Sequence, residues 1–135
     1  MEDGFEEIPH TADVAIRAWG RDLLDLFANA ARGMAWLMAD PDTVQTTVEK
    51  TIELTAYDAE TLLVTWLGEL LYLRERDGAV FTTFELEDVT NTHLRGSARG
   101  GPAKVLRRAI KAVTFSEMDI RPTEDGLETV IVFDV

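Results

Sequence analysis

The chain has 135 residues, no cysteine and a formal net charge of −12, from 25 acidic and 13 basic residues. That length suits one domain, residues 1–135, and a 46% hydrophobic content argues against disorder. The absence of cysteine excludes disulfides, thiolate zinc sites and a cysteine nucleophile. With no basic-apolar leader and no apolar run of membrane-spanning length, a cytoplasmic protein without membrane contact is expected.

Phe5–Ile8 reads as a short strand stopped by Pro9, and the alternation of Val14, Ile16 and Ala18 predicts a second strand over Asp13–Trp19. Asp22 then caps a helix, with Asp25 near its positive end. Leu23, Leu24, Phe27, Ala31, Met34, Ala35 and Met38 recur at helical spacing until Asp40-Pro41. Val48–Tyr57 is a third strand, in which Lys50 interrupts the face of Val48, Ile52, Leu54 and Ala56 and marks an edge. Asp58 caps a second helix, whose Leu62, Leu63, Trp66, Leu67, Leu70, Leu71 and Leu73 form a core face before Asp77-Gly78 turns the chain.

Strands follow over Val80–Leu86 and Thr90–Ala98. The glycine-rich run from Gly96 to Gly101 lacks the Gly-Lys-Ser/Thr of a phosphate-binding loop and reads as a flexible turn. Pro102 suits the start of a third helix, running to about Thr114. Such a helix puts Lys104, Arg107, Arg108 and Lys111 at i, i+3, i+4 and i+7 on one face, opposite Leu106, Ala109, Ile110 and Val113. These bases belong to an island without acids between Asp88 and Glu117, in a chain whose acidity otherwise repels phosphate backbones. Phe115–Arg121 and Leu127–Val135 flank Glu124-Asp125-Gly126 as a closing hairpin. The order ββαβαββαββ sustains no βαβ series, so the expected class is α+β: two layers, a mainly antiparallel sheet with packed helices.

His10 and Asp13 could pair as a general-base dyad, but a lone histidine before a strand is more often a hydrogen-bonded turn residue. With no G-x-S-x-G elbow, hydrolytic catalysis has little support. Asp13 stands at the mouth of the second strand, and Asp134 precedes Val135 at the end of the last. Either aspartate alone is ordinarily a turn acceptor or solvated. Should those two strands adjoin, Asp13, Asp134 and the carboxylate of Val135 would converge. Each like-charged pair at ~5 Å would then cost about 3 kcal/mol at an effective dielectric of ~20. A hard divalent cation relieves that cost, because oxygen-only ligands select calcium or magnesium over zinc.

Four blocks occur in a fixed order: Pro9-His10-Thr11-Ala12-Asp13-Val14 with Arg17-Ala18-Trp19-Gly20; Thr65-Trp66-Leu67-Gly68-Glu69-Leu70-Leu71-Tyr72; Ile110-Lys111-Ala112-Val113-Thr114-Phe115; and Val132-Phe133-Asp134-Val135. Together they resemble the archease family over essentially the whole chain. The resemblance implies a small α+β protein without catalytic activity of its own, acting on an RtcB-type RNA ligase in tRNA splicing and RNA repair. It implies that the protein promotes guanylylation of the ligase's active-site histidine, allows multiple turnover, and meets RNA only through the ligase. It also implies a metal ion held by the positions matching Asp13, Asp134 and Val135, with calcium favoured and magnesium or manganese as alternatives. Phe115 and Ser116 depart from the family, where many members carry a histidine; no function is placed on Ser116.

Two other functions compete with ligase activation. A general chaperone or adaptor for nucleic-acid-modifying proteins would need an exposed apolar patch. A metal-dependent phosphohydrolase could use Asp13 and Asp134, but no base or phosphate clamp accompanies them. The bases Lys104, Arg107, Arg108 and Lys111 are candidate docking residues for the partner.

Overall fold

The computed structural model describes residues 3–11 and 13–135; Ala12 of the His-Thr-Ala-Asp run lies outside them. Its strands are β1 (Phe5–Ile8), β2 (Val14–Gly20), β3 (Val48–Thr55), β4 (Val80–Val89), β5 (His93–Gly101), β6 (Ala112–Val113), β7 (Arg121–Pro122) and β8 (Leu127–Asp134). The α-helices among the described residues are α1 (Leu23–Met38) and α2 (Ala59–Asp77). One sheet runs β1-β2-β8-β6 with β7 on β8, the other β3-β5-β4, and every pairing is antiparallel. The class is therefore α+β, with the expected element order followed through β5.

Both helices start where their aspartates predict. Asp22 accepts the Asp25 N–H at 2.9 Å, and Asp58 accepts the Thr61 N–H at 2.8 Å, each satisfying an otherwise orphaned donor. Gly78 ends α2 in the left-handed region at φ 69°, its N–H bonded to the Arg74 carbonyl. α1 is buried on more sides than its predicted stripe, because it packs against β1 and β2 of one sheet and against β4 of the other. α2 lies beside it. Trp66 of α2 is fully buried, donates its indole N–H to the Phe27 carbonyl of α1 at 3.0 Å, and meets Phe84 of β4 edge-on at 5.8 Å.

Three expectations need correction. The Pro102–Thr114 stretch is not a helix. Its backbone pairs instead with the end of α1 and the turn after it, through Val44↔Ala103, Ala39↔Leu106 and Arg107 N–H to the Met38 carbonyl at 2.7 Å. These contacts supply the hydrogen bonds that a helix would have made internally. Residues 96–101 are not a flexible turn but the body of β5. A Cβ at Gly100 would collide with the Val80 carbonyl and one at Gly101 with that of Gln45, so glycine is what lets those neighbours close in. The predicted Phe115–Arg121 strand shrinks to Arg121–Pro122, because Glu117 adopts φ 62° in a turn closed by Met118 N–H to the Phe115 carbonyl.

Two stability predictions arise here. Gly68 sits inside α2 with open space where a Cβ would go. Gly68→Ala should raise unfolding free energy by about 0.5–1 kcal/mol, read as a higher denaturant midpoint with an unchanged slope. His93 lies 2.7 Å from Glu53 on β3 and 3.3 Å from Asp88 on β4, so one ring ties both outer strands to β5. The hydrogen bond to Glu53, aided by Asp88 and opposed by desolvation, holds its pKa above the ordinary value. Because the folded-state value is raised, this contribution is fully present below about pH 6.5 and fades as pH rises through the folded-state pKa. Stability measured against pH should lose that component in His93→Gln; an identical pH profile would contradict it.

Candidate metal and partner site

The sheet brings together the two strand ends that carry the candidate carboxylates. β2 and β8 pair antiparallel from Gly20↔Leu127 to Val14↔Phe133. Asp13 immediately precedes β2 and Asp134 is the last residue of β8, each one step beyond that last rung. Asp134 shares the face of Val132, away from Phe133, while Asp13 lies in the bend that leads into β2. β6 flanks β8 on its other side, with Ala112 opposite Asp134, and the Lys111 N–H bonds the Asp134 carbonyl at 2.8 Å. Val135 follows, half exposed.

His10 does not form a dyad with Asp13. Its Nδ1 lies 4.0 Å from Asp13 Oδ2, beyond hydrogen-bond range, and is buried without a partner. Its Nε2 meets Glu117 Oε2 at 2.8 Å. No local pattern points to Glu117 as a neighbour, since the contact spans more than a hundred residues and depends on the turn at φ 62°. Asp13 thus has a buried imidazole edge beside it.

Among the described residues no three or more His, Cys, Asp or Glu side chains converge as a metal centre. The candidate set is of another kind: two side-chain carboxylates, with the third donor from the main chain at Val135. Oxygen-only donors on an open strand end fit a hard cation with flexible coordination, and they do not fit zinc.

The candidate docking residues do not line one helical face. Arg107 reaches Asp40 at 3.9 Å and donates to the Trp36 carbonyl at 3.0 Å, while Arg108 meets Glu7 at 2.9 Å. Lys104 and Lys111 are exposed on the same extended strap. Two of the four bases fasten the strap, and two face solvent.

Residues 5–135 match the Archease protein family. The chain belongs to the archease family. It is 33% identical to the archease of Methanosarcina mazei, covering 97% of this chain and 95% of that one. It is 38% identical to the archease of Methanothermobacter thermautotrophicus, covering 92% of each. The solution structure of a Methanobacterium thermoautotrophicum protein superposes with a TM-score of 0.81 at 32% identity, over 98% of this chain and 99% of that one. The crystal structure of a Thermotoga maritima archease, described as a possible chaperone, shares the fold with a TM-score of 0.66 at 22% identity, over 96% of each chain. Among the described residues no helix is long and apolar enough to cross a membrane.

Proposed function

We propose that this archease activates an RtcB-type RNA ligase, promoting guanylylation of the ligase's active-site histidine so that the ligase turns over repeatedly. The observation that supports this reading is the register of β2 against β8, whose last rung, Val14↔Phe133, is one residue from Asp13 and from Asp134. Asp13, Asp134 and the main-chain carboxylate of Val135 would hold one divalent cation. Calcium is favoured over magnesium or manganese, because an open carboxylate set tolerates the irregular geometry of a larger ion. When bound, the ion supplies positive charge that polarises and orients phosphoryl oxygens.

The chain's own residues perform binding and positioning. Arg107 and Arg108 fasten the strap that leads towards Asp134, and its exposed bases Lys104 and Lys111 are suited to steering an acidic partner surface. The sequence has no cysteine and no phosphate-binding or nucleophile-elbow motif, which supports a protein cofactor in place of an enzyme.

The test is product formed from broken RNA and nucleotide with the ligase limiting. Product should exceed one equivalent per ligase only when this protein is present, and this protein alone should form none. Product capped at one equivalent would overturn the assignment. Product without ligase would favour the phosphohydrolase, and rescue of unrelated aggregating proteins without added turnover would favour the chaperone.

A further inference from the structure

A cleft of about 660 Å³ opens between β1, the last turns of α1 and the turn that follows it. Its floor is aromatic. The Phe5 and Trp36 rings lie 6.1 Å apart at a tilt of 52°, and Trp36 remains 37% exposed on a helix that buries Phe27, Met34 and Leu37. The cleft lining includes Asp3, Glu6, Glu7, Asp40 and Asp42 together with Arg32, and three of these carboxylates are paired with arginines from outside the cleft.

The chain's own arginines show what this surface accepts. Arg107 lays its guanidinium 5.4 Å from the Trp36 ring centre, with Asp40 beside it. Arg108 takes Glu7 at 2.9 Å and Arg17 takes Glu6 at 3.0 Å. Among the described residues, Asp3 and Asp42 enter no ion pair. Exposed tryptophan flanked by carboxylates is favourable ground for a cationic side chain, which gains ring attraction and charge pairing together. The same carboxylates repel a phosphate backbone.

We propose that this cleft docks a basic segment of a partner protein, with an arginine or lysine beside the part of Trp36 that Arg107 leaves exposed and paired with Asp3 and Asp42. The surface is separate from Asp13 and Asp134, and the proposal stands whether or not they hold a metal. The strap links the two regions, since Arg107 covers Trp36 and the Lys111 N–H meets the Asp134 carbonyl.

The full chain, labelled with nitrogen-15, is titrated with a short arginine–alanine repeat peptide while the tryptophan indole N–H signals are followed. The Trp36 signal should shift, and that of buried Trp66 should not. Asp3→Lys with Asp42→Lys should weaken binding on the order of tenfold, whereas Glu69→Lys with Glu75→Lys on α2, the same change in net charge, should alter it less than about twofold. Equal weakening by both pairs would reduce the effect to bulk attraction and overturn the proposal. So would an unmoved Trp36 signal, or an RNA oligonucleotide that shifts Trp36 as well as the peptide does.

Discussion

Replacing Asp13 or Asp134 by alanine is expected to abolish ligase activation while leaving the chain folded. Neither side chain supports the core: Asp13 is about one-third exposed, and Asp134 lies on the face away from Phe133. Two carboxylates at about 5 Å repel by about 1 kcal/mol in water and about 3 kcal/mol in a partly buried setting. Without an ion, removing either one should therefore leave stability unchanged or slightly raised. With calcium the ranking reverses. A ligand at about one hundred times its dissociation constant stabilises the folded state by about 2.7 kcal/mol, and only the wild type should gain it. Unfolding curves in calcium and in chelator, run beside the turnover assay, separate loss of the ion from loss of the fold. Full activation by both alanine variants would remove these residues from the mechanism.

The largest effect on stability is expected from Trp66→Ala, at about 3–5 kcal/mol. Trp66 is where α2, α1 and β4 meet, through its bond to the Phe27 carbonyl and its edge-on contact with Phe84. Alanine empties a fully buried volume at that junction and removes the aromatic pair, a loss that the surrounding elements relax into only partly. Set against a typical unfolding free energy of about 5–15 kcal/mol, this brings the protein close to unfolding at ambient temperature. Trp66→Phe keeps most of the volume but loses the indole donor, and should cost clearly less. Denaturant midpoints of the two variants check the order; equal midpoints would show that the emptied volume is not the main source of the loss.

The sequence is most legible where the cause is local. Asp22, Asp58 and Gly78 mark helix ends through bonds within three or four residues, so those boundaries follow from residue type alone. Lys50 breaks the apolar face near the start of β3, a strand at the edge of its sheet, and reaches Asp77 at 3.6 Å. Local pattern fails where distant backbone competes. The 102–114 stretch has helical spacing of its charges, but the open end of α1 and the turn after it offer partners that its own sequence does not show. The glycines of β5 mislead for the same reason, since what they accommodate is the backbone of other segments. At the candidate site, Asp13 and Asp134 are each visible, but the pairing of the strands beside them spans more than a hundred residues and has no local signal. The contact of His10 with Glu117 has no sequence signal at all.

The central claim is that Asp13, Asp134 and Val135 hold one divalent cation, and anomalous diffraction from crystals grown with manganese tests it most directly. One anomalous peak within coordination distance of both aspartate carboxylates and the Val135 carboxylate, absent in Asp134→Ala crystals, is the predicted result. Aspartate side chains separated by more than a coordination sphere, with no peak between them at saturating manganese, would contradict it.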